Sequence, residues 1–342
     1  MMDKELSFED RLERAKIKWD QLDDDYFRHW YIQNWIPSDG LSVIYGPPNV
    51  GKTFVALDLA IHMTAGKPWF ENSVSRTKVF YLALEGGDGI RDRLRALKVA
   101  KKDIFIEATK DFEIIVGQFI DFGSDEEVSE FAKFLYNNEI YLLFIDTLTL
   151  ALGGDDDATA SGMGKFLRAL QKLKIGYMFS VILIHHSGKN SSKGPRGHSS
   201  LPAAADTIIK VSKHNQVSEA IITKQRDGKI GSKIRFKLKE VIINQEYVDS
   251  YNELPLTTCV VEAIAPEEKI TKSTDDQQPN LVNFQRYFVQ SRTFAENFRN
   301  NSEQTATFES AALQKRVRTS EALFMVFRLD SKLQKRVKLL SI

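Results

Sequence analysis

The sequence predicts an α/β protein: a mainly parallel central sheet flanked by helices, antiparallel strands added at its C-terminal side, and a mostly helical C-terminal tail. Three observations carry this. Short, continuously apolar runs alternate with helix-length segments between Leu41 and Ile184, which is how parallel strands buried on both faces read. A glycine-bounded turn, Gly46–Thr53, joins the first such run to the first such helix. After residue 205 the alternation stops, and strand-like runs follow one another without helices between them.

The elements follow in order. Residues 1–38 read as an N-terminal arm: a charged stretch with Phe8, Leu12, Ala15 and Ile17 in loosely helical period, then the aromatic segment Tyr26–Tyr31, closing at Pro37-Ser38-Asp39-Gly40. Leu41–Tyr45 is the first strand and Thr53–Thr64 the first helix. Next come the strand Val79–Leu84, helices over about Gly89–Ala100 and Asp125–Asn137, the strand Tyr141–Ile145, a helix over about Ser161–Leu173 and the strand Phe179–Ile184. Asp206–Val211, Glu219–Lys224, Lys233–Lys239 and Thr257–Ile264 read as strands, expected to join the same sheet antiparallel. One domain is therefore expected at 39–265, a polar linker at 266–280 around Gln277-Gln278-Pro279, and a basic tail at 281–342.

Composition sets bounds. The 342 residues are 42% apolar and 27% charged, which excludes a wholly disordered or fibrous chain and suits about two domains. The single cysteine, Cys259, excludes a disulfide framework or a zinc site on paired cysteines and suits a reducing compartment. The charged start carries no apolar signal region. The longest apolar stretches, Ile140–Leu152 and Tyr177–Ile184, fall short of the ~18 residues that span a bilayer. The expectation is a soluble, cytoplasmic protein with no membrane partner. The net charge of +1 is unevenly spread: residues 314–342 carry eight Lys/Arg against Glu321 and Asp330, so they are +6 and the rest is −5. On charge alone this segment reads first as a solvated amphipathic helix, and a basic tail on an acidic body can also meet a polyanion. The strand Lys233–Lys239 alternates cations with apolar residues and reads as a charge-protected edge.

The strongest motif is Gly46-Pro47-Pro48-Asn49-Val50-Gly51-Lys52-Thr53, a full match to G-x-x-x-x-G-K-[ST]. Its backbone N–H groups wrap phosphates, Lys52 supplies a cation to the β- and γ-phosphates, and the Thr53 hydroxyl ligates Mg²⁺. The candidate nucleotide contacts run from Gly46 through Thr53 to Phe54. The flanking strand and helix are the required context, and the helix N-terminus adds its positive dipole end. Asp146 closes the apolar run Tyr141–Ile145, 94 residues after Lys52, where a carboxylate can hold a Mg²⁺-bound water. Hydrolysis also needs a group that orients or deprotonates water. Glu85, after the strand Val79–Leu84, is that candidate, with Asp88 as its competitor. The predicted cofactors are ATP and Mg²⁺.

With these placed, the sequence resembles the RepA-like AAA-type ATPases, RecA-fold proteins that include hexameric replicative helicases of plasmids. The matching text is Gly46–Thr53, Phe80–Gly87, Phe144–Leu148, Leu183–Lys189, Lys193–Ser200, Ala205–Thr207 and Lys224–Gly228, within about residues 30–265. The resemblance implies a RecA-like P-loop NTPase with Glu85 as catalytic glutamate and His186 as the histidine sensing the γ-phosphate. It implies Arg196 as an arginine finger reaching a neighbouring subunit's nucleotide, with Arg226 the alternative and Lys224 its partner in a K-x-R element. His185, adjacent on the strand, is expected to point the other way. A homo-oligomer is implied, as a hexameric ring, since head-to-tail contacts that close make rings.

The resemblance also places the loop 187–200 in a central channel, making Lys189 and Lys193 candidates for single-stranded DNA contact without sequence preference. The leading expectation is a DNA-dependent ring ATPase, as a helicase in replication of a plasmid, phage or mobile element, with the tail available to a replication-protein partner. The alternative is a RecA-like regulatory or recombination-mediator ATPase that does not unwind. A small-molecule P-loop kinase is disfavoured by the trans-acting elements, and a GTPase by the lack of an N/T-K-x-D sequence.

Overall fold

The computed structural model describes residue 16 and residues 29–117, 120–154, 157–174, 179–188, 194–248 and 255–264. The chain divides into two units, Met1–Glu267 and Glu268–Ile342, and every described residue belongs to the first. Most of the predicted arm, Lys189 and Lys193 of the expected DNA loop, the linker and the basic tail lie outside the described residues.

The described chain opens with two short antiparallel strands, β1 (Trp30–Ile32) and β2 (Ile36–Pro37). The strand β3 (Gly40–Gly46) then leads through the glycine turn into α1 (Lys52–Ala65). There follow β4 (Val79–Ala83), α2 (Gly87–Ala100), α3 (Lys102–Ala108), β5 (Phe112–Val116), α4 (Asp125–Asn137) and β6 (Leu142–Asp146). Beyond these lie α5 (Leu148–Ala151), α6 (Ala160–Lys174), β7 (Ser180–His186), α7 (Ser200–Ala204), β8 (Thr207–His214), β9 (Val217–Gln225), β10 (Lys233–Val248) and β11 (Pro255–Ala263). Among the described residues no helix is long and apolar enough to cross a membrane.

Nine strands form one sheet in the order β11-β10-β9-β8-β3-β7-β6-β4-β5. The six from β8 to β5 are parallel, and β9, β10 and β11 add antiparallel. One expectation is corrected: Asp206–Val211, expected antiparallel, lies in β8, which runs parallel to β3. The segment after β7 crosses over β3 with α7 in the connection, so the chain re-enters the sheet in the same direction. A second is corrected too: Lys233–Lys239, expected as a charge-protected edge, opens β10, which is paired with β9 and with β11, so that among the described residues β11 ends the sheet on that side.

Helix positions follow from which side chains can leave water. In α1 nearly every residue from Val55 to Ala65 is buried, because the sheet lies under it while α3 and β11 also pack on it. A helix buried all round reads as apolar on every face. In α4 the buried set is Val128, Phe131 and Leu135, one stripe at helical spacing, and Ser124 Oγ accepts from Glu127 N at 3.3 Å as its N-cap. Two apolar cores result, one per sheet face. The first gathers α1, α2 and α3 with inward residues of β10 and β11, among them Phe236 and Val261. The second gathers α4, α5 and α6. In the first, Asp58 of α1 accepts from Trp69 Nε1 at 3.1 Å and pairs with Lys101 at the start of α3.

The strand order decides where chemistry can sit. β7 lies between β3 and β6, and β4 lies beyond β6. In register, Gly46 stands opposite His186, Ile184 opposite Asp146, and Asp146 opposite Ala83. The C-terminal ends of all four strands thus meet at one edge, where open α/β sheets bind ligands.

Candidate functional site

The glycine turn is shaped by close approaches. A Cβ on Gly46 would lie 2.2 Å from the Val211 carbonyl oxygen of β8, and Gly51 holds φ +98° at the N-cap of α1, a conformation that favours glycine. Gly51 offers no side-chain cap, so the first-turn N–H groups of α1 remain for an anion. From β9, Ser218 Oγ donates to the Val50 carbonyl at 3.0 Å and pins the turn. Lys52 is buried, and its Nζ donates to the Pro47 carbonyl at 2.8 Å. Burial pulls its pKa down while Asp146 and Glu85 push it back up. Phe54, one residue past Thr53, is half-buried with the Arg93 guanidinium 4.7 Å from its ring centroid.

Asp146 ends β6 and is 1% exposed. Its Oδ2 accepts from the Tyr81 hydroxyl at 2.8 Å. Its Oδ1, Thr147 Oγ1 and Thr149 Oγ1 are buried and have no hydrogen-bond partner among the described residues. Burial raises the carboxyl pKa, against the hydrogen bonds from Tyr81 and Thr53. Buried polar atoms call for partners, and an orphaned carboxylate oxygen, with the Thr53 hydroxyl as a further oxygen donor beside this carboxyl, suits a hydrated divalent cation. The residues therefore fit Mg²⁺, held through Thr53 and Asp146.

Glu85 follows β4 in a turn pinned to β6: the N–H groups of Leu84 and Glu85 both donate to the Asp146 carbonyl, at 2.7 and 3.2 Å. Its carboxylate is half exposed and lies 4.0 Å from His186 Nε2. Asp88, the competing acid, sits in the first turn of α2 with its side chain 99% exposed, facing Arg91 at 3.7 Å. The site edge therefore holds Glu85. Burial and the Lys52 charge hold His186 below the usual histidine range, against Glu85, so it is neutral near pH 7.

His185 points to the opposite side of β7, as strand alternation requires. It is fully buried, and its Nε2 donates to the Arg196 carbonyl at 2.9 Å. Burial brings its pKa down to about 4. Arg196 returns along the sheet edge: its N–H donates to the His186 carbonyl at 2.9 Å, and its Nε lies 3.0 Å from Oδ2 of the buried Asp157. The K-x-R pair is engaged within its own chain. Lys224 Nζ donates to the carbonyls of Pro202, Ala203 and Ala205, at 2.7, 3.2 and 2.7 Å. The ammonium thus caps the C-terminal end of α7, where the carbonyls ending a helix need donors. Arg226 Nη1 pairs with Asp206 Oδ1 at 2.8 Å, while Asp206 Oδ2 accepts from the Leu41 N–H at 2.8 Å.

A model of the AAA domain family matches residues 9–192, more than half of the chain. The chain belongs to the AAA domain family. It is also similar to the DNA repair and recombination protein RadB of Methanococcus maripaludis, 29% identical over 219 residues that cover 60% of this chain and 93% of the relative. Among solved structures it is similar to the RadB recombinase, at 17% identity and a TM-score of 0.44 over 58% of this chain and 87% of that one. It is similar as well to the ATPase domain of G40P, at 18% identity and a TM-score of 0.44 over 59% of this chain and 82% of that one.

In this AAA domain the glycine turn follows β3, and β7 stands between that strand and the acidic strand β6. Three residues of the site lie outside the sequence reading. Tyr81 is hidden in an apolar strand, Arg93 in an amphipathic helix, and Asp157 in the run Asp155-Asp156-Asp157, where nothing local singles it out.

Proposed function

We propose that this AAA-domain chain is an ATP-hydrolysing RecA-fold motor in the cytoplasm that assembles head to tail and acts on single-stranded DNA. The observation that carries the reading is the convergence of Lys52, Asp146, Glu85 and His186 at the ends of four adjacent parallel strands. Gly46–Thr53 wrap the phosphates, with Lys52 on the β- and γ-oxygens. Thr53 and Asp146 hold Mg²⁺, which when bound neutralises charge on the phosphates. Glu85 orients the attacking water and accepts its proton. Neutral His186 stands beside Glu85 and reports the γ-phosphate through β7. Arg196 enters a neighbouring copy's site, where a guanidinium offsets charge developing on the transferred phosphoryl. Arg226, whose guanidinium pairs with Asp206 just before β8, is the alternative finger.

The finer reading follows the family resemblance: a hexameric ring that unwinds DNA in replication of a plasmid, phage or mobile element. In it Lys189 and Lys193 touch the strand, and the tail 281–342 meets a replication protein. The similarity to RadB, which spans 93% of that relative, favours a second reading. In that reading the same ATPase serves recombination and does not unwind.

Steady-state ATP hydrolysis with and without single-stranded DNA, at two salt concentrations, tests the proposal. Strong stimulation that fades with salt is expected. Hydrolysis indifferent to DNA at both salts contradicts action on DNA and turns the search to a protein partner.

A further inference from the structure

Asp157 lies in the turn between α5 and α6, 3% exposed. Its Oδ2 is 3.0 Å from Arg196 Nε and 3.9 Å from His185 Nε2. His185 is neutral near pH 7, so the guanidinium is the counter-charge of this buried carboxylate. The backbone locks the same segments together. The His198 N–H donates to the Asp157 carbonyl at 2.7 Å. Between them Gly197 holds φ +99°, where a Cβ would meet that carbonyl at 2.6 Å. On its other side, Arg196 gives its N–H to the His186 carbonyl and takes the His185 ring N–H on its own carbonyl. An isolated bridge between Ser187 and Pro195 closes the loop just before it. Arg196 is thus hydrogen-bonded at its N–H and its carbonyl, and its guanidinium is ion-paired with Asp157, whose Oδ2 makes no hydrogen bond among the described residues; the Arg196 side chain stays 51% exposed.

We propose that Asp157 is a positioning residue: by holding the Nε edge of Arg196 it presents the Nη edge to the nucleotide of a neighbouring copy. The two histidines ending β7 tie that presentation to the subunit's own phosphate site. This rests on the reading of Arg196 as a trans-acting finger. A guanidinium carries donors on separate edges of one plane, so it can hold a carboxylate and a phosphate at once, which an ammonium on a flexible stem does not. Fixing it before the partner arrives removes the ordering cost from the reaction step, and a small misplacement of such a group lowers turnover by up to about a hundredfold. The finger acts where charge develops, so the loss falls on kcat and spares KM for ATP.

The test uses the full chain and ATP. Asp157→Asn, which keeps shape and removes charge, is expected to lower kcat by about tenfold or more with KM for ATP within about twofold. Adding Arg196→Ala to it is expected to lower kcat no further than Arg196→Ala alone. Mixing Asp157→Asn with Lys52→Ala subunits is expected to restore turnover in part, as mixing Arg196→Ala does, because the Lys52→Ala copy lends an intact finger. A variant that lost turnover by unfolding gains nothing from mixing, and Asp157→Glu, with the charge kept, should recover part of kcat. If Arg196→Ala loses turnover and is rescued in mixtures while Asp157→Asn turns over normally, the positioning role is overturned and the finger stands. If Arg196→Ala turns over normally, or no mixture is rescued, the finger reading falls and this proposal with it.

Discussion

The phenol of Tyr81 donates to Oδ2 of Asp146 across 2.8 Å, and both side chains are buried. Tyr81 lies two residues before the end of β4, stacked on Phe144 of the neighbouring β6 with ring centroids 5.3 Å apart. The ring packs in the core while the hydroxyl reaches the strand ends. Its own burial, and then the Asp146 charge beside it, push the phenol pKa well up, so the phenol stays protonated and keeps donating. One carboxylate oxygen is thereby occupied by protein, and the other, Oδ1, is left for a cation.

Tyr81→Phe keeps the ring and removes the donor. An unpaired buried acceptor costs about 1–3 kcal/mol, which here favours the protonated carboxyl and opposes the cation. The Mg²⁺ concentration for half-maximal nucleotide binding is expected to rise roughly tenfold, read by titrating Mg²⁺ against a fluorescent ATP analogue. An unchanged Mg²⁺ requirement would remove Tyr81 from the site.

Lys52→Ala removes the cation among the turn's N–H groups. Hydrolysis is expected to vanish and ATP affinity to fall, while the circular dichroism spectrum stays native-like, since the Lys52 side chain bonds within its own turn, to the Pro47 carbonyl. Turnover at the wild-type rate would refute the phosphate assignment of Gly46–Thr53.

Lys224→Met separates a structural lysine from a nucleotide-binding one. Three carbonyls at the end of α7 lose their donor, and charged hydrogen bonds contribute about 1.5–3 kcal/mol. Denaturant unfolding is expected to show a loss at the low end of that range, because the site is only partly buried, with KM for ATP unchanged. A raised KM at unchanged stability would return Lys224 to the nucleotide.

Acid is expected to destabilise the fold. His185 has a folded pKa of about 4, against about 6.5 in an unfolded chain. Asp157 faces it as the favourable charge, His186 and Arg196 as the unfavourable ones. Between those pH values the unfolded chain binds more protons, so stability is complete above about 6.5 and declines as pH falls toward 4. His62 and His186 are shifted the same way. Thermal midpoints at pH 7 and pH 5 should differ, and His185→Gln should narrow the gap. An equal gap in that variant would show that His185 does not contribute.

Much of the fold was legible because its central strands are buried on both faces. Leu41–Tyr45, Val79–Leu84 and Tyr141–Ile145 therefore stand out as continuous apolar runs between helices. β5 did not stand out: Phe112–Val116 is an edge strand whose run is broken by exposed Glu113. The parallel direction of β8 was hidden too, since the five-residue α7 is too short to mark a crossover by periodicity. In the site, Gly46–Thr53, Glu85 and Asp146 carry local signatures. Tyr81 and Asp157 do not, because their partners lie 65 residues away for Tyr81 and at Arg196 for Asp157. The competition between Glu85 and Asp88 could be resolved only by position: three residues apart, one faces the strand ends and the other faces water.

The central claim, that four strand ends build an ATP-hydrolysing site, is tested most directly with Glu85→Gln. Phosphate release by this variant and by the wild-type chain is measured with Mg²⁺, alongside nucleotide binding by both. The wild-type chain is expected to hydrolyse ATP, and Glu85→Gln to bind it with similar affinity while releasing phosphate at least about a hundredfold more slowly. A wild-type chain that binds ATP without hydrolysing it, or a Glu85→Gln chain with full turnover, would contradict the account.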